Sequence, residues 1–338
     1  MEKLLDEIES YWSTRTEGYS EVNHKELAGT QKNAWLKVLT SQFPDKPKEE
    51  IRILDIGTGP GFFPVILAEA GYHVDAVDYT EGMLEKAKEN AGDLCRNIRF
   101  LRMDAQKLDF EDNTFDVVIS RNLTWNLEHP DVAYREWVRV LKVGGRLLNF
   151  DANWYGYLYE EEQRKAYEND RKNVENNSLD DHYLCTDIER MERIALQVPL
   201  SKISRPQWDV KTLREAGLLG IRTDTEIWKT VWSEEERLNY QSTPMFMVTG
   251  VKPDHFLNLP VAAGEKTEGF LELGDGEFVL PATIIRGKDP GKTVLVTAGL
   301  HAGEYVGIQT LIELSKAAEA GKGKGPAGSG KGAEPGRL

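Results

Sequence analysis

From Ile51 onward, short apolar runs alternate with helix-period stretches, the order in which crossover helices join parallel strands. Ile51 to Ile56, His73 to Asp78, Ile98 to Met103, Phe115 to Ser120 and Arg146 to Asp151 read as strands. Phe62 to Ala70, Glu81 to Ala91 and Asp131 to Leu141 read as the helices between them, with Gly144-Gly145 as the stop after the last. The pattern predicts an α/β fold on an open, doubly wound, Rossmann-like sheet. Tyr157 to Val198, polar and rich in Glu, Arg and Asn, interrupts it as an inserted helical cover after the fifth strand. A helix over Lys211 to Ala216 follows, and the segments Ile221 to Thr230 and Pro244 to Val251 close the sheet as an antiparallel pair. A first domain over residues 1–251 is expected. Residues 252–264, with Pro253, Pro260 and Gly264, read as a linker. Residues 265–320 then show a different pattern: strands at Phe278 to Arg286 and Thr293 to Ala298, and a helix from about Tyr305 to Ala318. Residues 321–338 hold seven glycines and two prolines and no bulky apolar residue before Leu338, so a disordered tail is expected.

Composition narrows the class. Across 338 residues, 40% hydrophobic content and a mean hydropathy of -0.49 describe a globular chain of roughly two domains. The 56 acidic against 42 basic residues give a net charge of -14, which repels a phosphate backbone, so nucleic acid is not an expected partner. No apolar run reaches the roughly 18 residues of a membrane span, and Met1, Glu2, Lys3, Asp6, Glu7 and Glu9 lack the order of a signal peptide. The expectation is a cytoplasmic protein with no membrane partner; no pattern sets its oligomeric state. Cys95 and Cys185 are too few and too far apart for a disulfide framework or an all-cysteine zinc site. His182 and Cys185 have ligand spacing, but no second pair accompanies them.

The strongest chemical signal is Asp55-Ile56-Gly57-Thr58-Gly59-Pro60-Gly61 between a predicted strand and a predicted helix. Glycines there let the backbone turn tightly and let a ligand approach the main chain, while the helix start offers unpaired N–H groups. The dinucleotide spacing G-x-G-x-x-G fails, because Phe62 or Pro64 falls on the last position, and no Gly-Lys-Ser/Thr follows to make a phosphate loop. Asp78 ends the second strand 17 residues after Gly61, where a carboxylate accepts ribose hydroxyls; it equally suits a helix cap for Thr80 onward. Asp104 ends the third strand facing the same crevice. Met83 suits either the face of a base or the core.

Asp55 to Gly61, Asp78, Met103-Asp104-Ala105, Phe115 to Ser120 and Leu141 to Gly145 together resemble class I S-adenosylmethionine-dependent methyltransferases, over about Tyr11 to Lys252. The resemblance implies a seven-stranded sheet with S-adenosyl-L-methionine over the glycine loop. Its cofactor residues would be Tyr19, Asp55, Gly57, Thr58, Gly59, Gly61, Asp78, Tyr79, Met83, Asp104, Ala105, Gln106 and Asn122. Trp12, Tyr19 and the Asp78 to Leu84 segment resemble the members that act on small molecules, and a helix carrying Tyr11, Arg15 and Tyr19 would fold over the cofactor as a lid. Methyl transfer is an in-line displacement that needs alignment and exclusion of water more than a protein nucleophile. An acceptor that carries a proton is helped by a nearby base, and the candidates, by their position after the fourth and fifth strands, are Asn122, Trp125, Asp151, Trp154 and Tyr155. The rings of Trp154, Tyr155, Tyr157 and Tyr159 suit either a packing wall or a surface for a flat or cationic acceptor. His129, before Pro130, reads as a turn residue.

Further on, His301 and Glu304 stand in an H-x-x-E spacing at a predicted strand end, where both reach one zinc ion. Their surroundings, from about Ala262 to Ala317, resemble the start of the succinylglutamate desuccinylase and aspartoacylase zinc hydrolases. No histidine follows His301, so the half-site is incomplete and a truncated hydrolase fragment is expected. The sequence therefore carries three readings: a methyltransferase of a small-molecule acceptor, a zinc-dependent amidohydrolase with an incomplete site, and a noncatalytic nucleoside-binding module.

Overall fold

The computed structural model describes residues 4–183, 186–256, 259–273, 278–288 and 312–314. Two compact units divide the chain, Met1–Lys252 and Pro253–Leu338. The first is built on β1 (Arg52–Ile56), β2 (His73–Asp78), β3 (Ile98–Arg102), β4 (Phe115–Arg121), β5 (Leu141–Asp151), β6 (Leu219–Asp224) and β7 (Phe246–Val251). They form one seven-stranded sheet in the order β3-β2-β1-β4-β5-β7-β6. β1 to β5 pair in parallel, and β7 runs antiparallel between β5 and β6.

The central strands are apolar on both faces because both are covered. On one side, α2 (Gln31–Ser41) and α3 (Phe62–Glu69) bring Trp35, Leu39, Phe63 and Ile66 against Ile53, Val117 and Leu148. On the other, α5 (Pro130–Val140) and α8 (Gln207–Glu215) bring Tyr134, Trp137 and Leu213 against Leu54, Val118 and Leu147. The alternation of Ile53 and Leu54 between the two cores is the period of a strand. A long α1 (Leu4–Ala28) precedes the sheet, and α4 (Glu81–Ala91) follows β2. The inserted cover contains α6 (Glu161–Asn176) and α7 (Ile188–Ala195), as its polarity predicts. No helix joins β3 to β4: residues 103–114 hold only the bridge between Asp104 and Lys107.

Several boundaries differ from the sequence reading. β5 starts at Leu141, so Gly144-Gly145 lies inside an irregular strand and the helix before it ends at Val140 without glycine help. The strand expected to reach Thr230 ends at Asp224, and α9 (Trp228–Val231) and α10 (Glu234–Asn239) follow. α10 has a capping box in which Ser233 and Glu236 satisfy each other's backbone N–H groups. The 252–264 segment, expected as a linker, carries β8 (Asp254–Phe256) paired with β9 (Leu259–Val261). β10 (Lys266–Leu273), unforeseen, pairs antiparallel with β11 (Phe278–Ile285). His301, Glu304, the strand expected at Thr293 to Ala298, most of the helix after Tyr305 and the 321–338 tail lie outside the described residues.

Candidate functional site

The glycine loop leaves the carboxyl end of β1 with left-handed backbone at Gly57 (φ 71°) and Gly59 (φ 52°), conformations that favour glycine. Backbone N–H groups of Gly57 and Thr58 donate to Val77 O at 2.8 and 3.0 Å, folding the loop back onto β2. A Cβ on Gly57 would stand 2.8 Å from Leu123 Cδ2, so the loop also needs glycine for room. At the end of β2, Asp78 Oδ2 accepts from Gly59 N and Oδ1 from Thr80 N, each at 2.9 Å. Burial pushes the Asp78 carboxyl above its ordinary pKa, and these backbone donors partly offset that.

Above the carboxyl ends of the parallel strands lies a cleft of about 860 Å³ including its open mouth. Gly57, Gly59, Asp78, Tyr79 and Met83 line one side, and Asp104, Ala105 and Gln106 line another. Asp104 is fixed by Gln106, whose backbone N donates at 2.9 Å and side-chain Nε2 at 3.1 Å. Gln106 Oε1 in turn accepts from His129 N at 2.7 Å. α1 contributes Ile8, Trp12 and Tyr19. Of the three residues expected on the lid, only Tyr19 lines the cleft. Tyr11 is instead buried with Trp125, Tyr155 and Tyr157, and Arg15 is not among the lining residues.

Three expected cofactor residues stand behind the wall. Asp55 is 2% exposed, and burial raises its carboxyl from 3.8 to about 7. Thr58 is buried within the loop. Gly61 serves helix packing: a Cβ there would approach Ala87 Cβ of α4 to 3.0 Å.

Among the acceptor candidates, only Asn122 lines the cleft. Its backbone is left-handed (φ 57°), its N–H donates to Phe150 O, and its buried Oδ1 has no hydrogen-bond partner. Asp151 is corrected from a base to a structural anchor. It is fully buried and paired with Arg205 Nη1 at 2.7 Å. It also accepts from the Thr124 hydroxyl, Trp125 N, Ala152 N and Trp154 Nε1. Trp125 and Trp154 are likewise tied inward; Trp125 Nε1 donates to Asn122 O at 3.0 Å and its ring centroid lies 5.0 Å from that of Tyr155. Burial holds the Tyr155 phenol well above its ordinary pKa, which disqualifies it as a base near neutrality. These four residues brace the loop that presents Asn122. The aromatic wall packs in the same way, with Tyr157 stacked on Tyr167 at 4.1 Å.

Asn126 and Arg121 are among the lining residues that the sequence reading missed. Asn126 Oδ1 accepts from Trp12 Nε1 at 2.7 Å, which fixes the amide so that its buried, unpaired Nδ2 is a donor. Arg121, ending β4, is gripped by Glu26 at 2.8 and 3.0 Å and lies over the Phe62 ring. A charged residue directly after a buried apolar strand was the available signal for Arg121; Asn126 had none. His182 Nδ1 meets the Tyr240 hydroxyl and Nε2 meets Glu235, both at 2.9 Å, while Cys185 lies outside the described residues. Among the described residues, no group of three His, Cys, Asp or Glu is placed to hold a metal.

The seven-stranded sheet and the cleft over its glycine loop define a Rossmann-like class I fold. Residues 54–149 match the profile of the methyltransferase domain family. Similar curated proteins include the demethylmenaquinone methyltransferase of Clavibacter sepedonicus, 41% identical over 29% of this chain and 39% of that protein. The demethylmenaquinone methyltransferase of Renibacterium salmoninarum is 31% identical over 44% of this chain and 60% of that one. The chain thus spans roughly two-fifths to three-fifths of the length of these relatives. Among solved structures, phosphoethanolamine N-methyltransferase 2 of Haemonchus contortus in complex with S-adenosyl-L-methionine matches with a TM-score of 0.48 and 18% identity, over 66% of this chain and 53% of that one. No helix among the described residues is long and apolar enough to cross a membrane.

Proposed function

We propose that this protein is an enzyme that transfers a methyl group from S-adenosyl-L-methionine to a small-molecule acceptor by in-line displacement. The observation that carries this reading is the Asp78 carboxylate, held by Gly59 N and Thr80 N beside the glycine loop, where its remaining lone pairs suit two ribose hydroxyls. The residues fit the cofactor in other ways. Gly57 and Gly59 leave room for close backbone approach, and the orphaned Asn122 Oδ1 and Asn126 Nδ2 ask for a ligand donor and acceptor. Glu9, Asp78, Asp104 and Glu128 make the lining acidic, which suits a sulfonium cation.

When bound, S-adenosyl-L-methionine supplies a methyl group activated on positively charged sulfur. The chain's part would be to hold and shield it: Asp78 would hold the ribose, Met83 and Ala105 would lie against the base, and Trp12 and Tyr19 of α1 would keep water out. Asn122 and Asn126 orient what enters beside them. The names of the relatives, which describe methyltransferases of demethylmenaquinone, support a small-molecule acceptor. The test is formation of S-adenosylhomocysteine from S-adenosyl-L-methionine across pools of small metabolites, quinols included. Turnover with at least one pool, sharply reduced in Asp78→Ala at limiting S-adenosyl-L-methionine, is expected. Cofactor binding without turnover in any pool would favour the nucleoside-binding module instead.

A further inference from the structure

A second, open hollow, of about 470 Å³ including its mouth, lies at the opposite end of the sheet from the cleft, at the start of β1, β2 and β3. Because the 103–114 connection holds no helix, this corner of the sheet is left without a crossover helix above it. Arg52 is in register with His73, and Asp75 with Arg99, so the four residues share one face across three adjacent strands. Arg96, from the helical turn Gly92–Asn97 before β3, also lines it, with the apolar Ile53, Val74, Ile98 and Phe115 as its floor. An uncovered sheet corner has to be polar, but it does not have to be basic. Here three arginines and one carboxylate line the hollow, in a chain whose net charge is -14.

Two of the guanidinium groups, those of Arg99 and Arg52, are also oriented. Arg99 Nε and Nη2 donate to the two oxygens of Asp75 at 2.9 and 2.7 Å, and Arg99 lies 5.7 Å from the Phe110 ring centroid. Arg52 lies 5.2 Å from the Phe115 centroid, with Nη2 3.6 Å from Asp75. One carboxylate thus fixes two arginines without neutralising both, and Arg96 adds a charge that no ion pair among the described residues balances. We infer that this hollow binds a phosphate-bearing small ligand, held by Arg52, Arg96 and Arg99 at the end of the sheet remote from the methyltransferase cleft.

The probe is inorganic pyrophosphate, titrated into the full-length protein by calorimetry at low ionic strength. Saturable 1:1 binding is expected, weakened about tenfold by Arg96→Ala, the loss of one charge-assisted contact. Arg52→Ala should weaken it similarly, while Lys165→Ala, on the exposed side of α6, should not. No saturable heat up to about 10 mM pyrophosphate, where even weak sites fill, would overturn the inference. So would binding that persists undiminished in the Arg52→Ala/Arg96→Ala double variant, or that Lys165→Ala weakens equally. Unchanged melting temperatures in the variants keep loss of folding from imitating loss of the site.

Discussion

Asp55 shows how a residue beside a binding loop acts without touching the cleft. Its carboxyl is buried under the glycine turn and titrates near 7 in the folded protein against 3.8 in the unfolded chain. Between those values the folded state holds a proton that the unfolded state has released, so Asp55 favours folding most at low pH and that contribution fades as the pH climbs to about 7. Above it, a buried charge opposes folding. Asp55→Asn removes this dependence. Urea midpoints at about pH 5 and pH 8 should fall further in the parent than in the variant, and equal falls would show that burial does not govern this carboxyl. The same principle separates Asp78 from Asp151. Both end strands, but backbone donors hold Asp78 at the cleft, whereas Arg205 and four further donors turn Asp151 inward.

At the scale of elements, the strand and helix pattern was legible because both faces of the sheet's centre are covered, which makes β1 and β4 almost wholly buried, mainly apolar runs between helix-period stretches. The join at Val140 and Leu141 was not, since the glycines that resemble a helix stop lie within an irregular strand. In the site, the glycine loop, Asp78 and Asp104 were readable because backbone chemistry dictates residue type there. Asn126 was not, because its role depends on Trp12, 114 positions away. Arg205 was hidden for the same reason. It bridges Asp151 of β5 and Asp209 of α8 with both ion pairs fully buried, and reaches Thr124 at 2.7 Å in the loop that carries Asn122. Removing one partner of a buried pair strands the others, so Arg205→Ala should cost about 3–5 kcal/mol in chemical denaturation. Asp151→Asn should also destabilise; a variant of unaltered stability with abolished turnover would instead return Asp151 to the role of a base.

For the whole molecule, the sheet is complete within Met1–Lys252, β7 closing it beside β5. A chain ending after Lys252 is therefore expected to fold and to retain the cofactor affinity of the full protein, and an insoluble product or weakened binding would show that residues 253–338 are needed. The most direct measurement is calorimetric titration of the full chain with S-adenosyl-L-methionine, with NAD as the competing dinucleotide, in the parent and in Asp78→Ala. The parent should bind S-adenosyl-L-methionine and prefer it to NAD, and Asp78→Ala should lose roughly 1.5–3 kcal/mol, the contribution of hydrogen bonds to a charged group. Unchanged affinity in the variant, or tighter binding of NAD by the parent, would contradict the account.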